Sequence, residues 1–326
     1  MKKDLAVWIA ALVLTLVSGA VFVPLFKKIK FGQPILKYVK EHESKSGTPT
    51  MGGLFFIIPV SLIFFLFSGR IGSVATTVCA IGLFYMLIGF LDDFIKIKRG
   101  ENEGLKPYQK ITFQTAISIL AGAYAYLKGI TAFYIPFYGK MVDLGFFAVP
   151  LVAFIYIALT NSVNLTDGMD GLAASVSAVF LMFFIALLTV ETGVFGGILP
   201  QDEYAEITTL SFALLGGIAG FLAFNFNRAK VFMGDTGSLA LGGFLSGLTV
   251  FSGNGFFVPL LGVAFVWSSL SVIIQVLHFK RTKKRVFLMA PFHHHLQKKG
   301  LTEGKICYIY CLITVIIGVL AVISYL

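Results

Sequence analysis

The stretch Asn161–Gly171 places two carboxylates and two carboxamides close together in an otherwise apolar sequence, with no Lys or Arg among them. If a helix begins here, Asp167 and Asp170 face the same way and partly cap it. Capping does not account for Asn161 and Asn164. Their amides are suited to the edge of a base or sugar, and an acceptor carboxylate suits an imide N–H such as that of uracil. The stretch therefore holds either a structural hydrogen-bond network or a ligand.

A second pair of carboxylates, Asp92 and Asp93, ends the third predicted membrane helix. Adjacent residues on a helix point roughly 100° apart, so the two can line one cavity wall without touching the same atom. Two anions at a low-dielectric boundary repel each other unless a cation or a proton is close. The pattern favours a functional site at the membrane boundary. The alternative is a solvated helix end with Lys96 and Lys98 as ion-pair partners.

A glycine-flanked aspartate follows in the segment Gly234-Asp235-Thr236-Gly237-Ser238. The glycines allow the backbone to approach a ligand closely. A helix that begins near Ser238 would also direct free N–H groups and the positive end of its dipole toward that ligand. A phosphate suits such a pocket. The alternative is that Asp235 or Ser238 is only the N-cap of the next helix.

Two further polar segments lie in predicted loops, one within the last basic loop and one that leads into the second helix. The triplet His293-His294-His295 is internal, and adjacent histidines rarely chelate one ion well, so we interpret it as a phosphate contact. A metal site and a plain surface loop are the alternatives. Lys45 and Thr50 combine a cation and a hydroxyl at the entrance of a helix, which fits an anionic ligand.

The composition indicates a membrane protein. Of 326 residues, 57% are hydrophobic and only 13% are charged, too little polar surface to coat a soluble protein of this size. The apolar runs predict an all-α integral membrane fold of a single domain with about ten transmembrane helices, and a short hairpin near residues 131–145. The predicted spans are Leu5–Phe26, Gly52–Phe67, Gly72–Leu91, Thr112–Leu127, Phe146–Thr160, Leu172–Thr192, Ile207–Phe224, Ser238–Ser252, Phe256–Phe279 and Lys305–Leu326.

The basic residues predict the orientation of the chain. All but five of the 26 Lys and Arg residues fall in the segments that join helices 1 and 2, 3 and 4, 7 and 8, and 9 and 10. By the positive-inside rule, that face is cytoplasmic and both termini are extracytoplasmic. The five polar segments then share the cytoplasmic face. Five aspartates, the histidine triplet and Lys45 are available there to one cavity.

These five segments, in this order, closely resemble the phospho-N-acetylmuramoyl-pentapeptide transferase (MraY) family within the polyprenyl-phosphate N-acetylhexosamine-1-phosphate transferase superfamily. The resemblance extends almost from end to end of the chain and rests on Gly47–Gly53, Leu91–Asp93, Asn161–Gly171, Gly234–Ser238 and Pro291–His295. It implies a Mg²⁺-dependent enzyme of the bacterial cytoplasmic membrane, active in peptidoglycan synthesis. Such an enzyme transfers phospho-MurNAc-pentapeptide from UDP-MurNAc-pentapeptide to undecaprenyl phosphate, giving lipid I and UMP. The resemblance also suggests a homodimer among membrane lipids, with no nucleic-acid partner.

The resemblance assigns roles residue by residue. It implies that Asp235 lies at the metal, that Asp92 and Asp93 lie at the catalytic centre, and that His294 lies beside the phosphates. The substrate contacts that we expect from the motifs and the resemblance together are Lys45, Thr50, Asn161, Asn164, Asp167, Gly168, Met169, Asp170, Phe232, Gln275, His293 and His295, with Phe232 stacking on uracil. The chain departs from the family pattern at Gln297, where many members have an acidic residue.

The implied reaction joins two phosphates, so Mg²⁺ would bridge and neutralise oxygens while positioning supplies most of the rest. An oxygen of the lipid phosphate would attack the β-phosphate of the donor, with Asp92 orienting or deprotonating it. A covalent phospho-aspartate route is the alternative. Two other functions stay open: a sister transferase that uses UDP-N-acetylglucosamine and, from a different class, a membrane transporter. The clustering of the acids at one face disfavours the transporter.

Overall fold

The computed structural model describes residues 2–28, 47–101, 103–194 and 197–325. Within these residues the chain forms twelve helices, two 3₁₀ turns at Gly145–Phe147 and Gly255–Phe257, and one hairpin. The helices are α1 (Lys2–Lys28), α2 (Gly53–Phe67), α3 (Val74–Arg99), α4 (Pro107–Leu127), α5 (Ala148–Thr166), α6 (Leu172–Val194), α7 (Gln201–Asn225), α8 (Gly234–Phe251), α9 (Val258–Leu261), α10 (Val263–Thr282), α11 (Phe292–Lys298) and α12 (Glu303–Ile323).

Every predicted span is helical over most of its length, which confirms the predicted all-α membrane fold. Among the described residues, seven helices are long and apolar enough to cross a membrane, while α2 has only 15 residues. The predicted ninth span is two helices, because the chain turns at Gly262 between α9 and α10. The number of segments that cross the bilayer stays a prediction.

Two of the predicted helix C-termini, those of α3 and α5, were placed too early. Helix α3 continues for two more turns and ends at Gly100, whose φ of 66° is the left-handed conformation typical of a helix C-terminus. Asp92 and Asp93 therefore lie within the helix. Helix α5 likewise continues through Asn161 and Asn164 to Thr166. Polar side chains do not by themselves end a helix, so the predicted turn shrinks to the residues that follow α5.

Helix α8 occupies the centre of the bundle. Its residues from Thr236 to Phe251 are buried, and it packs chiefly against α3 and α5. Small residues allow this close approach, since a Cβ at Gly242, for example, would collide with the backbone of Thr160 in α5. Because α8 begins at Gly234, its first turn is brought beside the last turns of α3 and α5, where the carboxylates and carboxamides lie.

The predicted hairpin is present at the other end of the bundle. Strands β1 (Ala132–Ile135) and β2 (Lys140–Asp143) pair antiparallel, with Ala132 opposite Asp143. Tyr134 N–H in β1 donates to the carbonyl of Gly253, just beyond the C-terminus of α8. The hairpin and the first turn of α8 are therefore separated by the full length of that helix.

Candidate functional site

Three carboxylates from two helices converge at the first turn of α8. Asp92 and Asp93 come from α3 and Asp235 from α8, and one oxygen from each lies within 4.8 Å of the others. Asp92 is 3% exposed and Asp93 is fully buried. Gly89 of α3 makes the approach possible, since a Cβ there would collide with the backbone of Asp235. Oxygen ligands at this spacing suit a hard divalent cation such as Mg²⁺.

Asp93 caps helix α8. Its carboxylate accepts hydrogen bonds from the backbone N–H of Asp235 (3.2 Å), the N–H of Thr236 (3.0 Å) and the hydroxyl of Thr236 (2.7 Å). The residue at the N-cap position, Met233, has no side-chain oxygen, and Gly234 at φ 71° turns the chain into the helix. The carboxylate that caps α8 therefore comes from α3, and the alternative in which Asp235 or Ser238 serves only as the N-cap was wrong.

Two lysines neutralise the cluster. From the sequence, Lys96 was named only as an ion-pair partner in the alternative of a solvated helix end, and Lys110 had no predicted role at the site. The Lys96 ammonium lies 2.6 Å from Asp92 Oδ2, 3.1 Å from Asp235 Oδ2 and 3.8 Å from Asp93 Oδ1. The Lys110 ammonium from α4 lies 2.7 Å from the same oxygen of Asp235. The spacing of Lys96, three and four residues after the two aspartates, was a usable signal once α3 is extended. No sequence pattern indicated Lys110, because α4 is brought beside Asp235 only by the folding of the chain.

A polar cavity of about 240 Å³ opens beside Asp235. Eight of the predicted residues line it: Thr50, Asn164, Asp167, Gly168, Met169, Asp170, Phe232 and Asp235. Lys96, Asn225 and Gly234 line it as well, whereas Asp92 and Asp93 are not among the lining residues. The cavity therefore brings together segments that are far apart in the sequence.

Backbone pairing between two of these segments holds Thr50 and Phe232 at the cavity. Phe232 N–H donates to the carbonyl of Pro49 (2.8 Å), and Gly52 N–H donates to the carbonyl of Phe232 (2.9 Å). The buried hydroxyl of Thr50 has no hydrogen-bond partner among the described residues. A buried hydroxyl without a partner is costly, so Thr50 Oγ1 is suited to bind a ligand in this cavity.

Asn164 and Asp167 face Asp235 across the cavity. The Asn164 amide donates to Asp235 Oδ1 (2.7 Å) and to the hydroxyl of Ser238 (2.8 Å). Burial raises the pKa of the Asp167 carboxyl well above its usual range, and the negative charges of Asp235, Asp93 and Asp170 raise it further. Negative groups therefore dominate the electrostatic surroundings of Asp167.

Asp170 also lines a second, larger cavity. Its carboxylate accepts a hydrogen bond from Ala229 N–H (2.8 Å), and its own N–H donates to the carboxylate of Glu303 (3.1 Å). Both acids line a space of about 880 Å³ together with Thr48, Phe226, Asn227, Arg228, Ala229, Thr302 and Gly304. Glu303 was not predicted, because nothing in the sequence links the start of α12 to this turn.

Other predicted contacts lie elsewhere. The Asn161 amide donates to Gln114 Oε1 (2.7 Å) of α4. Gln275 lines a separate space of about 420 Å³. Its amide oxygen accepts the N–H groups of Val286 and Phe287, and its NH₂ donates to the carbonyl of Phe287. Lys45 lies outside the described residues. Substrate contacts from these three residues stay predictions.

The predicted histidine loop is in fact the short helix α11. His293 is fully buried, and a Cβ at Gly168 would collide with its Nε2, so the histidines lie directly against the turn after α5. His294 Nδ1 lies 3.2 Å from Gln297 Oε1, so Gln297 orients that ring. His295 Nδ1 accepts the N–H of Leu288. Partial burial and the positive charge of Lys299 lower the pKa of His295.

The fold and the site together define a multi-pass helical membrane protein that holds an acidic cluster, compatible with a divalent cation, at the edge of a polar cavity. A family profile described as glycosyl transferase family 4 matches residues 75–253. A second profile, described as phospho-N-acetylmuramoyl-pentapeptide-transferase signature 1, matches residues 45–57.

Similar proteins extend the match to nearly the whole chain. The phospho-N-acetylmuramoyl-pentapeptide-transferase of Desulfitobacterium hafniense is 40% identical over 320 residues, covering 97% of this chain and 96% of the relative. Proteins of the same name are 42% identical in Clostridium botulinum strain Eklund 17B (95% and 93% coverage) and 38% identical in Clostridioides difficile (96% and 95%). The chain therefore belongs to the phospho-N-acetylmuramoyl-pentapeptide-transferase family.

Proposed function

We propose that the chain transfers phospho-MurNAc-pentapeptide from UDP-MurNAc-pentapeptide to undecaprenyl phosphate, giving lipid I and UMP for peptidoglycan synthesis. The observation that carries this proposal is the near full-length match to transferases of that name. The convergence of Asp92, Asp93 and Asp235 beside a polar cavity gives the match a chemical basis. A transporter would place its acids along a pathway near the midplane, whereas these acids lie about two turns before the end of α3, just after α5 and in the first turn of α8.

The donor set fits Mg²⁺, the cofactor that the family resemblance implies. Asp235 is the residue we expect to bind it, with Asp92 as the nearest carboxylate that does not cap a helix. When bound, the ion would neutralise phosphate oxygens and so favour attack on the β-phosphate. Asn164 holds Asp235 Oδ1 and thereby fixes the orientation of this carboxylate.

Asp92 is the better candidate for the group that orients or deprotonates the acceptor phosphate. Both oxygens of Asp93 are engaged by the first turn of α8. Asp92 accepts one backbone hydrogen bond, from Leu105 N–H to Oδ1 (2.9 Å), while its Oδ2 contacts the ammonium of Lys96 (2.6 Å) and no backbone group of α8. In the proposed reaction, an oxygen of the lipid phosphate forms a bond to the β-phosphorus, the bond to the α-phosphate bridge breaks, and UMP leaves.

The residues on the other side of the cavity are suited to bind the donor nucleotide. Phe232 offers a ring for stacking on uracil, and Asp170 offers acceptor oxygens beside it. Thr50 offers a hydroxyl without a partner of its own. His294, whose Nε2 lies against Gly168 of the cavity wall, is suited to contact a phosphate oxygen of a bound donor, whereas His293 is fully buried.

We also propose that the site faces the cytoplasm, since the basic residues are concentrated in the segments at this end of the bundle. The homodimer suggested by the resemblance stays a prediction, which light scattering on the detergent-solubilised protein would check.

The direct test is release of UMP by the purified protein. With UDP-MurNAc-pentapeptide, undecaprenyl phosphate and Mg²⁺, we expect UMP and lipid I in equal amounts, and no UMP when UDP-N-acetylglucosamine replaces the donor. Asp235→Asn serves as the inactive control. Absence of UMP in several detergents and in nanodiscs would overturn the proposal, and release from UDP-N-acetylglucosamine alone would assign the chain to the sister activity.

A further inference from the structure

The Lys96 ammonium occupies the middle of the acidic cluster. It lies 2.6 Å from Asp92 Oδ2 and 3.1 Å from Asp235 Oδ2, and its side chain is only 16% exposed. Lys96 lines the 240 Å³ cavity, whereas Asp92 and Asp93 are not among the lining residues. The ammonium therefore covers the carboxylates on the cavity side.

A divalent ion and this ammonium compete for the same space. Mg²⁺ binds oxygens at roughly 2.0–2.1 Å, so an ion shared by Asp92 and Asp235 must lie between their oxygens. The three carboxylates approach one another within 4.8 Å, and Lys96 Nζ is already within hydrogen-bond distance of two of them. Two cations held by the same carboxylate oxygens at these distances would repel each other strongly.

We propose that Lys96 is a tethered cation that neutralises the cluster before metal binds, and that metal binding displaces its ammonium into the cavity. The inference rests on the proposed function in one respect, that this cluster is the metal site. Displacement uncovers Asp92 and moves a positive charge toward the place where the donor's phosphates are expected. Metal binding would thus prepare the cavity for an anionic substrate.

The charge balance gives the physical reason. Three carboxylates at this depth repel one another strongly unless cations are close. Lys96 supplies that cation from the same helix, and Lys110 adds a second at 2.7 Å from Asp235. In the contacts described, Lys110 forms an ion pair with Asp235 only, so it can stay in place when a metal ion binds. Lys96 contacts all three acids, so its ammonium is the one that must move.

The first test measures metal affinity without nucleotide or lipid. Mn²⁺ binding to the purified full-length chain is followed by the electron paramagnetic resonance signal of free Mn²⁺. We expect Lys96→Gln to bind Mn²⁺ about tenfold or more tightly than wild type, because a competing cation is gone. The matched control is Lys98→Gln, which removes the same charge two residues along α3 from an exposed position and should change the affinity less than about threefold. Equal effects of the two variants, or weaker binding by Lys96→Gln, would overturn the inference.

The second test uses only wild-type protein, so it does not depend on the folding of a variant. An amine-reactive reagent is applied with and without Mg²⁺, and modification of each lysine is quantified by peptide mass spectrometry. Mg²⁺ should speed modification of Lys96 several-fold and leave Lys98 unchanged. A Lys96 rate that Mg²⁺ leaves unchanged or lowers would refute displacement.

The two proposals fail in different ways. If wild type binds Mn²⁺ no better than Asp235→Asn, the metal assignment in the proposed function is wrong and the inference falls with it. If wild type binds Mn²⁺ through Asp235 but Lys96→Gln binds no more tightly, the inference alone is wrong.

Discussion

Replacing Asp93 with asparagine should weaken the fold more than the chemistry. The carboxylate accepts two hydrogen bonds from Thr236 at one oxygen and one from Asp235 N–H at the other. The carbonyl oxygen of an asparagine can still accept both hydrogen bonds from Thr236. Its NH₂ group would then face the N–H of Asp235, and two donors cannot form a hydrogen bond with each other. Hydrogen bonds to a charged group contribute about 1.5–3 kcal/mol each. Losing one and weakening two should lower the unfolding free energy by about 2–4 kcal/mol.

Asp92→Asn should show the opposite pattern. An amide oxygen can still accept Leu105 N–H, and removing one of three repelling charges offsets the lost contact with Lys96. We expect Asp92→Asn to lose less stability than Asp93→Asn, because the variant removes a repelling charge together with the ion pair. Its turnover should fall about 10²–10⁴-fold, the usual contribution of a positioned acid or base. Asp93→Asn should retain more turnover than Asp92→Asn.

The assay pairs thermal unfolding in one detergent with UMP release for each variant. Thr236→Val is the matched control, since it removes one hydrogen bond from the cap of α8 without changing any carboxylate. It should unfold at a temperature between those of wild type and Asp93→Asn. If Asp93→Asn unfolds like wild type yet loses as much activity as Asp92→Asn, then Asp93 takes part in the chemistry and the capping argument is wrong.

Three other variants test the remaining roles. Asp235→Asn should abolish the rise in melting temperature that Mg²⁺ gives wild type and lower turnover at least about 100-fold; an unchanged Mg²⁺ response would contradict the metal assignment. Phe232→Leu should raise KM for the donor at least about fivefold with a smaller change in kcat, while Phe232→Tyr stays close to wild type, because a stacked ring is lost only in the first. Asp167→Asn should stabilise the metal-free protein near pH 8 but not near pH 4. The pKa of Asp167 is raised in the folded state, so ionisation of the unfolded chain costs the wild type stability as pH rises above the ordinary aspartate range. A stability gain independent of pH would contradict that cause.

The sequence predicted the fold well because bilayer-spanning segments are long and uniformly apolar. It predicted helix ends less well, since Asp92, Asn161 and Asn164 look like breaks when they are polar positions on helices that continue. A helix ends where the backbone cannot continue, as at Gly100, and a buried polar residue does not meet that condition.

The residues of the candidate site were predictable where their own sequence segment is unusual for a membrane protein. Asp92, Asp93, Asp167 and Asp235 stand out because acids are rare in membrane helices. The partners that complete the site come from packing between distant helices. Lys110 and Glu303 look like ordinary surface charges in sequence, and only the folded chain brings them beside Asp235 and Asp170.

The capping of α8 by Asp93 changes how this cavity would bind the phosphates of the proposed donor. A helix N-terminus is a ready anion site, and the glycines around Asp235 suggested that α8 would serve as one. The structure fills that position with the carboxylate of Asp93, which takes the first N–H groups of the helix. The positive charge for a diphosphate must then come from side chains and a bound cation. Lys96 and Lys110 both contact Asp235 there. Asp93 thus occupies the N–H groups that could bind an anion, and its negative charge adds to the need for cations in the cluster.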